Sequence, residues 1–470
     1  MADEEMWRPP ANRLMRTLDR SFFQRTIELK AARVFDNKNI FSVRTALERS
    51  KDVLVKERLG SVHPDPGSAL AQSGKKCILL RPESGLESTG TSNTTQQSIV
   101  SGPHSPKVAE LVTQSMIDII PFQLKLDYSY WTYHDIISAV LPEDEQGEIP
   151  SGFSQVGHVA HLNLRDEYLK YKTIIAEILM DKNPGVRTVI NKIDDVGEES
   201  EYRTFQYEVL AGPDDMNVTI SEENCIFKFD YSKVYWNSRL NTEHRRLVAL
   251  FNEGEAVCDV MAGIGPFAVP AGKKKIFTWA NDLNPDSYES MKDAISRNKV
   301  QDYVQPFNED GKTFIPSAVA RLADTVHNVE VLKRPSRKDP NAQPEVVKTL
   351  RQPLTFQHFV MNLPATAITF LPSFIGLYPE FLRKRLGADL KMPLVHVYCF
   401  STKSDDNVKE GIEIAAEVSR QLGTTLKPGR IEDGDVAIYD VRDVAPKKRM
   451  FCASFRLPEE VAFREQTATS

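Results

Sequence analysis

From about residue 240 onward, short apolar runs alternate with amphipathic stretches. Ala256–Val260, Ile276–Asn281, Val304–Phe307, Phe356–Met361 and Leu394–Phe400 are too short for helices and apolar enough to be buried strands. Ser287–Asn298 and Val408–Leu422 carry apolar residues at helical spacing. Buried strands separated by helices predict a parallel sheet wound with helices. The last two runs, Val436–Val441 and Met450–Phe455, flank Ala445-Pro446-Lys447-Lys448 and predict a terminal antiparallel pair. The expected fold class is α/β: a Rossmann-like, mostly parallel sheet closed by that pair.

Upstream the pattern changes twice. Phe22–Ala32 and Val43–Leu59 read as helical runs of a small N-terminal domain, residues 1–81. Residues 82–107 are rich in Ser, Thr, Gly and Pro, so 82–114 is expected to be a linker. A mixed α/β middle domain is predicted over 115–235, with a helix at Leu169–Met180 and strands at Val186–Ile193, Phe205–Leu210 and Asn217–Ile220. The wound sheet then occupies 236–470. Residues 316–355, with Lys333-Arg334-Pro335-Ser336-Arg337-Lys338, break its rhythm and read as a polar, mobile insertion. No internal repeat is visible.

Composition narrows the class. At 470 residues and 41% hydrophobic, the chain is long enough for two or three globular domains. No run of about 18 apolar residues suggests a membrane span. The acidic start, Met1-Ala2-Asp3-Glu4-Glu5, argues against a secretory signal. Five scattered cysteines without a C-x-x-C pair predict a reducing compartment, with no disulfide framework, structural zinc or iron–sulfur cluster. His158 and His161 read as structural histidines rather than metal ligands. A net charge of −6 means that any nucleic-acid binding must rest on local basic patches.

The sharpest chemical signal is Val257-Cys258-Asp259-Val260-Met261-Ala262-Gly263-Ile264-Gly265-Pro266-Phe267. An apolar strand runs through Asp259 into a glycine turn, with Gly263 and Gly265 letting the backbone approach a ligand. Asp282 ends the next strand, where a carboxylate can take both hydroxyls of a ribose. Asp310-Gly311 follows the third strand, within reach of an adenine amino group. Each acid alone is equally well a helix cap or turn residue. Three of them at consecutive strand ends point to an adenosine cofactor. Pro266 and Phe267 stand where a dinucleotide's pyrophosphate would lie, and Asp259 would repel it. An acid there suits a cofactor with an ammonium group, S-adenosylmethionine.

Two further features suit an acceptor. The fourth strand ends in Asn362-Leu363-Pro364, a turn that aims polar groups at a planar base edge. Tyr235-Trp236-Asn237-Ser238-Arg239-Leu240-Asn241-Thr242-Glu243-His244-Arg245-Arg246 places Arg239 just before a helix opening at Asn241.

Taken together, Tyr235–His244, Asp259–Phe267, Asn281-Asp282-Leu283-Asn284-Pro285 and Asn362-Leu363-Pro364 closely resemble one family. It is the archaeal and eukaryotic tRNA (guanine(37)-N1)-methyltransferases, the eukaryotic form in particular. The resemblance extends to Val156–Leu164. It covers about residues 120–457 well and the first eighty more loosely. It implies a class I methyltransferase domain behind a middle domain and an N-terminal domain that touches the tRNA elbow. It implies that His244, Asp282, Leu283, Asp310, Gly311 and Asn362 line the cofactor, and that Arg239 engages the target guanine. It also implies a monomer in the cytoplasm, nucleus and mitochondrial matrix, with tRNA as partner. Ser238 stands where many relatives carry Pro, Leu363-Pro364-Ala365 holds one proline where two would match related sequences, and the 316–355 insertion is long for the family.

The chemistry so implied needs a cation near guanine O6, for which Arg239 is the candidate, and a carboxylate to accept the N1 proton. Glu243, Asp259 and Asp282 all qualify, Glu243 being nearest Arg239 in the chain. No metal is required. For tRNA phosphates the candidates are Lys273-Lys274-Lys275, Arg383-Lys384-Arg385, Lys447-Lys448-Arg449 and the 333–338 cluster. Two rival readings are an aminocarboxypropyl transferase of the wybutosine pathway and a non-catalytic tRNA-binding protein.

Overall fold

The computed structural model describes residues 5–82, 105–193, 202, 204–333 and 345–465. The 333–338 basic cluster therefore lies outside the described residues but for Lys333, as does most of the expected linker. The chain forms two compact units. One comprises Met1–Phe153, Asn163–Pro184 and Leu210–Gly212; the other comprises Ser154–Leu162, Gly185–Val209 and Pro213–Ser470.

The first unit is organised by one long strand pair. Strand β1 (Arg25–Val34) runs antiparallel to Ile117–Leu126 over ten positions, from Arg25↔Leu126 to Val34↔Ile117. Two short strands, β2 (Val62–Pro64) and β3 (Lys76–Leu79), complete a sheet in which Ile117–Leu126 is β4 and the order is β2-β3-β1-β4. The expected helix at Phe22–Ala32 is thus a strand. Its Glu, Leu, Lys and Ala favour helix, but Ile27, Leu29 and Ala31 alternate with more exposed Thr26, Glu28 and Lys30, and pairing with β4 overrides propensity. The second expected helix is confined to α1 (Ile40–Arg49), whose Val43 and Leu47 pack with Ala32, Val34, Ile78 and Ile117. A boundary at residue 115 would cut β4 from its partner. Helix α2 (Lys172–Lys182) also belongs to this unit.

In the second unit, β5 (Ser154–Val156), β6 (Val159–Leu162), β7 (Thr188–Lys192) and β8 (Tyr207–Ala211, whose last two residues are counted with the first unit) form a sheet in that order. A hairpin follows, β9 (Asn217–Glu222) and β10 (Cys225–Asp230), the second strand unforeseen in the sequence. Val156, Val159, Ile190, Val218 and Phe227 share one core with Ile264, Met291 and Ile295. A boundary at 235/236 therefore does not separate two compact bodies, because one core spans it.

The main sheet contains β11 (Ala256–Asp259), β12 (Phe277–Asn281), β13 (Val304–Phe307), β16 (His358–Met361), β17 (Leu394–Thr402), β18 (Ala437–Ala445) and β19 (Lys448–Arg456). Its order is β13-β12-β11-β16-β17-β19-β18. The first five are parallel, and the last two pair antiparallel, as the hydrophobic pattern foretold. Chain order runs outward on one side of β11 and resumes on its other side at β16. The crevice above the C-terminal ends of β11 and β16 is thus the topological switch point, where open α/β sheets bind ligands.

The expected insertion is more ordered than its sequence suggests. Residues 316–324 belong to a helix, Gly311–Asp324, which buries Phe314, Ile315, Ala318, Val319 and Leu322; Pro316 hides that periodicity. Asn328–Lys333 (β14) and Glu345–Arg351 (β15) then pair as an antiparallel ribbon with a bulge at Val331/Leu332.

At the opposite, N-terminal edge of the sheet lies a buried histidine pair. His358 Nδ1 and His396 Nε2 are 3.0 Å apart with stacked rings, and His396 Nδ1 lies 2.8 Å from Ser454 Oγ. Phe251 packs on both rings, and Glu255 lies 3.5 Å from His358 Nε2. Burial, then His358 and Arg246, hold His396 well below its ordinary value. Burial also lowers His358, although Glu255 opposes the shift. Below pH about 6.5 the unfolded chain takes up protons that the folded pair refuses, so stability falls as pH falls. From pH 6.5 to 5.5 the loss expected is up to about 1.4 kcal/mol per histidine. Denaturant titrations should show a smaller drop between pH 7.5 and 5.5 in His396→Gln than in wild type. Equal drops would show that the pair does not set the acid sensitivity.

Candidate active site

The switch-point crevice is built from strand ends held in register by one side chain. Asn281, fully buried at the end of β12, donates from Nδ2 to Val260 O (3.0 Å) and Glu309 O (2.9 Å). Its Oδ1 accepts from Glu309 N (2.9 Å), and its own carbonyl accepts from Ala262 N (2.7 Å). Three consecutive strand ends are thereby tied together. Asn308 adds a second tie, donating to the carbonyls of Asp282 and Leu283.

Within this frame the glycine loop turns sharply. Gly263 has φ +56° and Gly265 φ +93°, both in the region that disfavours side chains. Nothing lies within 4 Å of the point where a Cβ on Gly263 would stand, so the loop offers open space there. At Gly265 a Cβ would meet Val269 Cγ2 at 3.0 Å. The loop leads into α3 (Ala268–Lys273).

Two acids face this turn. Asp282 accepts from Gly263 N (2.7 Å) and Asn284 N (2.9 Å). Burial pushes its carboxyl up to about 6 against those two N–H groups. Asp259 is fully buried, and neither carboxylate oxygen has a hydrogen-bond partner. Burial, with Asp282 nearby, pushes it well above the usual carboxylate range. A buried carboxylate with no donor is costly, and a cationic ligand group would relieve that cost. Asn362 presents a similar vacancy in its bonding: Oδ1 is buried without a partner. Its turn is braced by Phe400 N, which donates to Pro364 O at 3.1 Å.

The remaining sequence candidates take more structural roles. Asp310 Oδ1 caps the Gly311–Asp324 helix, accepting from Lys312 N (2.9 Å) and Thr313 N (3.2 Å). A Cβ on Gly311 would come within 3.0 Å of both Phe370 and Val260, so the backbone there is closely approached. Leu283 is 44% exposed beside Asp282. His244 is buried, with Nδ1 2.5 Å from Glu222 Oε1 and its ring edge-on to Phe267 at 4.8 Å. It supports the glycine loop through Phe267.

Glu243 is a paired carboxylate. Arg246 donates to both of its oxygens at 2.6 Å, and Tyr398 OH donates to Oε1 at 2.6 Å. This buried acid lies on the helix Asn241–Ala249 with Arg246 three residues along it, and the partner that sequence could not show is Tyr398, 155 residues away.

Arg239 is exposed, in a 3-10 turn whose backbone N–H donates to Asn237 Oδ1 at 3.1 Å. Among the described residues no carboxylate pairs with it. Its segment is anchored to the cofactor side by Asn284 Nδ2, which donates to Lys233 O at 2.8 Å. Most of the nominated phosphate clusters are already paired. Lys275 bonds Glu253, Lys384 bonds Glu380, Arg385 bonds Asp324, and Lys274 donates to Val248 O. Arg449, only 13% exposed, is held by Asp440 and Asp443, and Lys448 lies over Phe400. Of that turn's three cations, Lys447 alone is exposed with no partner among the described residues.

Among the described residues no helix is long and apolar enough to cross a membrane, and no group of three His, Cys, Asp or Glu could hold a metal ion.

A glycine loop at the switch point, acids on successive strand ends and a terminal antiparallel pair define a Rossmann-like class I methyltransferase. Residues 219–331 match the TRM5/TYW2 methyltransferase domain, and residues 133–215 match the TYW2 N-terminal domain. Curated tRNA (guanine(37)-N(1))-methyltransferases are similar along the whole chain. That of Fusarium vanettenii is 50% identical, covering 98% of both chains, and that of Aspergillus fumigatus is 51% identical, covering 98% of this chain and 96% of its own. That of Schizosaccharomyces pombe is 42% identical, covering 96% and 95%. The chain belongs to the tRNA (guanine(37)-N(1))-methyltransferase family. Two solved structures share its fold: Trm5b from Pyrococcus abyssi (TM-score 0.54, 20% identity, covering 91% of this chain and 99% of its own) and aTrm5 in complex with tRNALeu (0.54, 18%, 91% and 100%).

If Asp282 holds a ribose, Asp282→Ala should weaken S-adenosylmethionine binding by about 1.5–3 kcal/mol, the worth of a charge-assisted hydrogen bond. Calorimetry giving unchanged affinity in the folded variant would remove Asp282 from the cofactor site.

Proposed function

We propose that this chain transfers the methyl group of S-adenosylmethionine to N1 of guanosine 37 of tRNA. Full-length kinship at about half identity supports the substrate. The observation that carries the chemistry is Arg239, an exposed guanidinium without a carboxylate partner among the described residues.

The cofactor fits the residues present. Asp259, buried with two unpartnered oxygens, would hold its ammonium group, Gly263 and Gly265 give room for close approach, and Asp282 would take the ribose hydroxyls. Leu283 and the Asp310-Gly311 turn would border the adenine, and His244 positions the loop through Phe267. When bound, S-adenosylmethionine supplies a sulfonium-activated methyl group.

The protein's own residues must solve a different problem. Guanine N1 carries a proton, and its lone pair is released only as negative charge spreads to O6. Arg239 at O6 stabilises that charge as it develops, an effect larger in the transition state than in the ground state. Asn362, with a buried Oδ1 still free to accept, orients the base by its Watson–Crick edge. Glu243, the carboxylate nearest Arg239 in the chain, is the candidate to accept the N1 proton as the methyl group is transferred, and its bonds to Arg246 and Tyr398 also fix the helix that follows Arg239. The chain acts as a monomer in the cytoplasm, nucleus and mitochondrial matrix; support for this is the family resemblance, and light scattering and cell fractionation test it.

A second reading follows from the match of residues 133–215 to the TYW2 N-terminal domain: transfer of the aminocarboxypropyl arm of the same cofactor. Incubation with unmodified tRNA and S-adenosylmethionine, then nucleoside mapping by mass, decides between them. The expected product is 1-methylguanosine at position 37; an aminocarboxypropyl adduct or no product overturns the proposal. Arg239→Ala is expected to slow single turnover by about 100-fold or more while cofactor affinity holds, by analogy with loss of an oxyanion donor. An unchanged rate would deny Arg239 its role.

A further inference from the structure

Beside the turn that carries Arg239 stands a second arginine that no sequence motif marks. Arg442 lies on β18, opposite Met450 of β19, which in turn lies opposite Phe400 of β17. Phe400 N is the donor to Pro364 O. Arg442 is therefore level with the Asn362-Leu363-Pro364 turn, at the C-terminal edge of the sheet. A register shift between Asp440 and Arg442 leaves Val441 as the extra residue, and such a bulge re-aims the side chain that follows. Arg442 Nη1 comes to 3.5 Å from Asn237 Oδ1, the oxygen that accepts from Arg239 N. One carboxamide oxygen thus gathers the Arg239 turn and Arg442.

Little on the protein balances this pair. The other Arg442 bond, from Nε, goes to the carbonyl of Asp443, not to its carboxylate. That carboxylate is already engaged by Lys403 and by Arg449. Among the described residues neither Arg239 nor Arg442 has a carboxylate within ion-pair distance. Burial first, and then Arg239, disfavour the charge on Arg442. Burial, then Lys192 and Arg239, hold His161 down to about 4. Tyr235, 42% exposed and 3.3 Å from Asn237 Nδ2, adds a flat aromatic face to the rim. Two adjacent guanidiniums without an acid, beside an exposed aromatic ring, suit an anion attached to a nucleobase.

We infer that Arg442 binds a backbone phosphodiester adjoining the target guanosine, leaving Arg239 to address the base. This rests on the reading of the chain as a tRNA methyltransferase. The phosphate contact offsets the repulsion within the arginine pair, so RNA binding and placement of Arg239 reinforce one another.

The test uses the full chain and an unmodified tRNA transcript. In one set of transcripts, the linkage 5′ or 3′ of guanosine 37 is a neutral methylphosphonate. Arg442→Ala is expected to raise the tRNA Kd about tenfold and to make the slope of log affinity against log salt shallower by about 0.7–0.9, one phosphate's share. S-adenosylmethionine affinity should stay within about twofold, because Arg442 is remote in the sheet order from the glycine loop. One of the two methylphosphonates should weaken binding by wild type about tenfold and leave Arg442→Ala unaffected. If both neutral linkages weaken the variant as much as wild type, or if the salt slope is unchanged, the inference is overturned. Should Arg442→Ala fail to fold, Arg442→Gln keeps a donor toward Asn237 and is read in the same way. Wild type that makes no 1-methylguanosine would overturn the proposed function itself. Wild type that methylates while Arg442→Gln keeps full tRNA affinity and salt slope would overturn this assignment alone.

Discussion

The candidate site depends on one buried carboxamide. Asn281 joins the ends of β11, β12 and β13 through four hydrogen bonds made by its side chain and carbonyl. Parallel strands end independently unless something links them, and the sheet ladder stops at the strand ends where a ligand must bind. An asparagine suits the task because it both donates and accepts, and bonds left unmade in so buried a place would be costly. With the strand ends aligned, Gly263 N can reach Asp282, and Asp259 is left facing the turn without a donor. The stability of the fold and the readiness of the cofactor site are therefore the same set of bonds.

A second layer ties the acceptor side to this frame. Asn284 holds the backbone at Lys233, Asn237 caps the turn that carries Arg239, and the β18 bulge brings Arg442 to the same oxygen. Asparagines thus fix the backbone geometry, while the charged side chains near them keep their bonding capacity. The contrast with Glu243 and Arg246 is instructive. That pair is closed on itself and on Tyr398, and it holds the helix that follows Arg239.

Much of this was legible in the sequence, for physical reasons. The wound sheet was readable because its strands are buried on both faces and appear as continuous apolar runs. The glycine loop, Asp259, Asp282 and Asn362 could be read because each is local to a strand end. What escaped depends on partners distant in the chain. Arg25–Val34 is made of helix formers and becomes a strand only through Ile117–Leu126, some ninety residues away. The helix at Gly311–Asp324 was masked by Pro316. Arg442 carries no motif, and only pairing across β19 and β17 places it near Arg239. Basic clusters such as Lys447-Lys448-Arg449 looked available for RNA, yet Arg449 proves to be neutralised by Asp440 and Asp443.

The most direct test of this account is the cofactor affinity of Asn281→Asp, a change that keeps shape but replaces the donor with oxygen. It is measured by calorimetry at a temperature where circular dichroism shows the variant folded. If Asn281 aligns the acids, S-adenosylmethionine affinity should fall by tenfold or more, about 1.4 kcal/mol, because two carbonyls would lose their shared donor. Affinity within about twofold of wild type in the folded variant would contradict the account, and would mean that the strand ends hold their places without it.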